Sequence, residues 1–225
     1  DHCSCFMDLR MFFLFITVTC NPHWAGITSA LPAGGKWKDH PDVVSRAFML
    51  RLKSIVNDFK VGCIFGALKA YVYRIEWQAR GLPHAHMLLI LEHKIMSTRQ
   101  IDSIVSAEVP DPVGSPVLHA LVTKHMLHPR CDVMLRAQRA GCRLKPNGEV
   151  CDCRRRFPKE MCAETSIIGD GFPKYRRRGL HVIIDTAGRI LTDQWVVPYN
   201  PYLLHKYQCH INTEICTHIK SFKVR

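Results

Sequence analysis

The stretch Arg80-Gly81-Leu82-Pro83-His84-Ala85-His86-Met87-Leu88-Leu89-Ile90-Leu91 decides how this chain is read. Two histidines flank one small apolar residue, and a strand-like apolar run follows. Side chains alternate faces along a β-strand, so His84 and His86 point the same way. Upstream, Gly81-Leu82-Pro83 marks a turn, and before it lies the run Tyr71-Val72-Tyr73-Arg74-Ile75-Glu76-Trp77-Gln78. If that run is the neighbouring antiparallel strand, Glu76 can add a carboxylate to the two imidazoles. Two His and one carboxylate with open positions are a catalytic metal pattern, whereas a structural site is closed. The plain alternative is a strand with two histidines on a solvated face.

Working outward, Met11 to Cys20 reads as a buried strand rich in Phe, Ile, Val and Thr, stopped by Asn21-Pro22. Apolar residues at helical spacing predict a helix from Asp39 to Lys60. Val61 to Trp77 reads as one or two strands, and Pro83 to Leu91 as the next. Thr98 to Val105 and Pro116 to Met126 read as helices. His181 to Asp185 and Gln194 to Val197 read as short strands, and Pro201 to Lys206 as a short helix. A strand, a helix and then antiparallel strands define an α+β fold, an antiparallel sheet with helices on one face.

The chain has 225 residues, 47% hydrophobic and 22% charged, a globular composition. No apolar stretch is long enough to span a bilayer, so no membrane partner is expected. There is no credible signal peptide, and a fragment of a longer polypeptide is expected. Net charge is +12, which favours a polyanionic partner. Residues 129–178 hold 13 Lys or Arg against 6 Asp or Glu, a local charge of +7. Arg154-Arg155-Arg156 and Arg176-Arg177-Arg178 are the two triplets of that stretch. They are candidate DNA contacts; a solvated basic surface or a localisation signal is the alternative. With 11 cysteines and no leader, metal is expected before disulfides.

The segment "IEWQARGLPHAHMLLIL" (75–91) resembles the metal motif of the Helitron-type replication initiators of the HUH endonuclease class. "FLFITVTCNPHWAGI" (13–27) is similar to their first motif. The blocks at 104–128, 154–178 and 194–216 resemble the later family segments, in the right order. The resemblance implies a ferredoxin-like HUH core at 1–127, a basic Cys-rich insertion at 128–178, and the C-terminal part of the initiator domain at 179–225. It implies Mg²⁺ or Mn²⁺ on His84, His86 and Glu76, with single-stranded DNA as substrate. Two imidazoles favour Mn²⁺ or a similar ion. It also implies a helicase domain in cis in a full-length element and, from the substrate, a nuclear location. No ATPase motif occurs in the chain.

The family's tyrosine pair lies beyond the block "CHINTEICTHIKSFKVR", and no tyrosine follows Tyr207. Tyr199, Tyr202 and Tyr207 match no nucleophile position. These residues are therefore expected to bind metal and DNA without efficient nicking. In the Cys-rich segment His128 and Cys131 have the gap of half a zinc site, and Cys142 and Cys153 would complete a Cys3-His tetrahedron. The resemblance selects Cys153 over Cys151, which with Cys162 stays a possible alternate; unpaired core cysteines are the other reading. The remaining alternatives for the whole are a non-catalytic zinc-stabilised nucleic-acid-binding module and a decayed transposon remnant.

Overall fold

The computed structural model describes residues 13–77, 81–93, 95, 97–128, 153, 155–167, 172–185 and 188–216. The strand carrying both histidines is β3, Pro83–Leu91. It lies inside a four-stranded sheet of order β2-β3-β1-β6, with β1 at Phe13–Thr19, β2 at Leu68–Trp77 and β6 at Ile211–Cys216. Every neighbouring pair is antiparallel. β1 and β2 are thus parallel to each other, joined by helix α2 (Pro41–Lys60), with β3 inserted between them. That is a split β-α-β unit, and it makes the α+β class and the antiparallel sheet findings.

Alternation decides which face is which. Leu14, Ile16 and Val18 of β1, Ala85, Met87 and Leu89 of β3, and Ile211 and Ile215 of β6 are buried. They share one core with Val44, Phe48, Leu52, Ile55 and Phe59, one stripe of α2. The intervening residues face the other way, and they include Thr17, Thr19, His84, His86, Asn212 and Glu214. Burying one face locks the register, because a one-residue slip would invert every side chain. The turn after β2 depends on Gly81, whose φ of +83° suits only glycine well.

Four smaller helices complete the frame: α1 (Ala25–Thr28), α3 (Thr98–Ile104), α4 (Pro116–His125) and α5 (Pro201–Tyr207). Two short strands, β4 (Ile183–Ile184) and β5 (Ile190–Leu191), pair with each other.

Several boundaries differ from the sequence reading. The long helix starts at Pro41, because proline sits well only in a first turn; Trp37–Asp39 before it form a 3-10 turn. Only 68–77 of the stretch 61–77 is strand. Gln194 to Val197 is not a strand: Asp193–Trp195 is a 3-10 turn, and Val196 bridges singly to Leu127. β6 was not read as a sheet strand at all. Among the described residues no helix is long and apolar enough to cross a membrane.

Candidate metal centre

The register sets Glu76 directly opposite His84, and Arg74 opposite His86. Residues opposite each other on paired strands share a face. Glu76, His84 and His86 therefore stand together, as alternation and the turn at 81–83 required. His86 Nε2 lies 3.5 Å from Glu76 Oε2. The other ring nitrogen, Nδ1, is 3.1 Å from Thr17 Oγ1. His84 Nδ1 is 3.3 Å from the Leu82 carbonyl oxygen, which can only accept. Both histidines thus engage Nδ1 with protein oxygens, and His86 turns Nε2 towards Glu76. This is the usual support for a ligating imidazole, whose second nitrogen is held by a carbonyl or hydroxyl.

Burial lowers the His84 pKa, with His210 and His86 adding to the effect; the Leu82 carbonyl and Glu76 oppose it. A neutral imidazole is the form that binds metal. The Phe15 ring lies nearly parallel to that of His86, 8° between planes, and limits its swing. Among the described residues, no three His, Cys, Asp or Glu side chains are already drawn up as a cage for an ion. The closure round an ion is not preformed among these residues.

Sequence reasoning passed over the far side of the same face. Thr17 stands between His86 and Asn212, and Thr19 beside His210 through its N–H to the His210 carbonyl. Asn212 Oδ1 is buried without a hydrogen-bond partner. Glu214 follows two residues on, its carboxyl pushed upward by burial; Asn212, Lys159, Arg155 and Arg177 resist the shift. The period-two polar pattern His210-x-Asn212-x-Glu214 was the available signal.

His128 Nε2 and Cys153 Sγ are 3.2 Å apart. Two ligands of a tetrahedral zinc lie about 3.5 Å from each other, given Zn–S and Zn–N bonds of roughly 2.3 and 2.0 Å. Phe157 stacks on the His128 ring at 4.2 Å between centroids. Cys131, Cys142 and the alternate Cys151 lie outside the described residues. Cys162 is directed elsewhere, its thiol donating to the Tyr175 carbonyl at 2.9 Å.

The basic triplets divide. Arg155 and Arg156 are exposed, and Arg154 lies outside the described residues. Arg155 is near enough to His210 and Glu214 to affect their protonation, which puts it beside the polar face of the sheet. The expectation of a DNA contact fails for Arg177. It is 4% exposed and donates to the carbonyls of Ala107, Asp193 and Val196. Arg176 and Arg178 both pair with Glu108, and Arg176 also with Asp102.

An antiparallel α+β sheet with a His-x-His strand at its centre is the class that the fold and site define. Residues 2–89 match the family described as the Helitron helicase-like domain at the N-terminus. Over that stretch the chain is similar to a Helitron helicase-like N-terminal domain, a transposon-related module. No curated protein matches the chain.

Proposed function

We propose that this domain is a metal-dependent, single-stranded-DNA nicking and strand-transfer module of a Helitron-like rolling-circle element. The observation that carries the reading is the common face of Glu76, His84 and His86, with both Nδ1 atoms engaged and His86 Nε2 turned towards Glu76. Those three side chains would hold Mg²⁺ or Mn²⁺. Such an ion, when bound, stabilises negative charge on phosphoryl oxygens. Thr17 and the Leu82 carbonyl orient the imidazoles, and Arg155 contacts phosphate nearby.

Tyr71, Tyr73, Tyr199 and Tyr207 do not serve as nucleophiles on this face. Tyr199 and Tyr207 are interior, and burial raises both to about 12. Tyr71 and Tyr73 lie on the opposite face from the histidines. Binding of metal and DNA without efficient nicking is therefore expected of these residues. Isothermal titration with Mn²⁺ tests the site: Glu76→Ala and His86→Ala weaken binding at least tenfold, with the circular-dichroism spectrum unchanged. Absence of Mn²⁺ binding by the unmutated chain rejects the reading. Efficient covalent capture of a labelled oligonucleotide would show that the nucleophile has been misjudged.

The His128–Cys153 approach favours a second reading, a zinc-stabilised nucleic-acid-binding module in which the His-x-His face is vestigial. His128, Cys131, Cys142 and Cys153 would close around one zinc and order a segment too polar to order itself. Purified protein is then expected to hold one zinc per chain and no Mn²⁺. Cys153→Ser should release the zinc and expose the segment to protease.

A further inference from the structure

Among the described residues strand β2 is an edge strand, hydrogen-bonded on one side to β3 only. Its two faces differ in chemistry. Arg74 and Glu76 share the histidine face. Tyr71, Tyr73 and Trp77 share the other, opposite Leu89, Met87 and Pro83. In a covered sheet, aromatic residues at these positions would be core. Here α2 reaches only far enough to bury β3. Tyr71, Tyr73 and Trp77 are 37%, 41% and 53% exposed. An aromatic row left in water on an edge strand is unusual and marks an interaction surface.

The row has order and charge. The rings of Tyr71 and Tyr73 are 6.5 Å apart and within 8° of parallel. The ammonium of Lys60, the last residue of α2, lies 5.7 Å from the Tyr71 ring. Trp37, with Lys38 5.6 Å from its ring, approaches the turn at Gly81. The only acid on β2, Glu76, points to the other face. Two near-parallel phenol rings, an indole beyond Ile75 on the same strand face, and flanking cations suit flat, electron-rich rings strung on a polyanion. An apolar protein partner would gain little from the flanking lysines, and +12 overall opposes a second copy of the chain.

We propose that Tyr71, Tyr73 and Trp77 form a stacking platform for the bases of single-stranded DNA. Both faces of β2 then serve one ligand, phosphate on the histidine side and bases on the aromatic side. The proposal rests on the reading of the domain as a single-strand binder, but not on its metal site. Stacking is tolerant of sequence, because every base has a π face.

Fluorescence anisotropy of a labelled oligothymidylate with the full chain, without added Mg²⁺ or Mn²⁺, tests it. Tyr73→Ala and Trp77→Ala should each weaken binding about 5- to 100-fold. Tyr73→Phe and Trp77→Phe should bind like the unmutated chain. The slope of log affinity against log salt should stay the same in all four, since no phosphate contact is removed. Unchanged affinity in both alanine variants overturns the platform while leaving the functional reading intact. A change in sedimentation without a change in DNA affinity also overturns it, and assigns the face to protein contact. An unmutated chain that does not bind the oligonucleotide sinks the platform and the functional reading together.

Discussion

Arg176, Arg177 and Arg178 are chemically identical and adjacent, yet the fold uses them differently. The chain is extended there, with single bridges from Lys174 to Ser166 and from Arg177 to Cys162, so alternate side chains point to opposite sides. Arg177 goes inward to three carbonyl oxygens, and burial pulls its guanidinium down to about 10, against the attraction of Asp193. It remains charged at neutral pH and serves as a polar rivet between the segments around residues 107 and 193–196. Arg177→Met should lower folding stability by about 2–4 kcal/mol, because it strands three buried carbonyls. Urea denaturation measures this. Arg155→Ala should leave the urea midpoint in place and reduce the salt slope of DNA binding by about one. A basic triplet in a sequence shows charge. Which member is buried depends on partners such as Ala107, about seventy positions away in the chain, and no local pattern reports them.

At the scale of elements, β3 and its hairpin with β2 were legible because each signal was local: alternation, a glycine turn and a proline start. Glu76 was placeable for the same reason, since hairpin register follows from the turn. The contribution of β6 was not legible. It joins the sheet beside β1, about two hundred residues earlier, and its run Ile211–Cys216 is short and half polar. Thr17, Asn212 and Glu214 therefore came into view only with the fold. Helix α5 is tied in by another non-local device. Asp58 of α2, 7% exposed, accepts from the Tyr207 hydroxyl at 2.6 Å and from Lys206 Nζ at 2.6 and 2.8 Å. Tyr207→Phe should cost about 1 kcal/mol, since the lysine still satisfies the carboxylate. Asp58→Ala should cost about 2–3 kcal/mol, because it leaves the buried hydroxyl and the ammonium with fewer partners. Thermal melts of both variants and of the double variant check the ranking. A double variant no worse than Asp58→Ala alone would show that the hydroxyl acts only through the carboxylate.

For the molecule as a whole, the polar face gathers several histidines under partial cover, and the cover sets how the fold responds to acid. Burial holds His125 down to about 4, helped by the positive charge of Lys124 and by His210 and His23; burial also lowers His84 and His210. A histidine with a folded pKa below its unfolded value of about 6.5 binds fewer protons in the native state than in the unfolded chain. The unfolded state then gains stability as pH falls, and the loss begins near 6.5 and continues until the folded group itself titrates near 4. Glu214 works in the opposite sense, since its raised pKa lets the native state take up a proton before the unfolded chain does. The histidines outnumber it, so net destabilisation is expected between pH 6.5 and 4. His125→Gln removes one titrating group while His210 keeps its bond to the backbone carbonyl of residue 125. Urea midpoints at pH 7 and pH 5 should therefore differ less in His125→Gln than in the unmutated chain. An equal pH 7 to pH 5 drop in both proteins would mean that His125 is not held neutral by the fold.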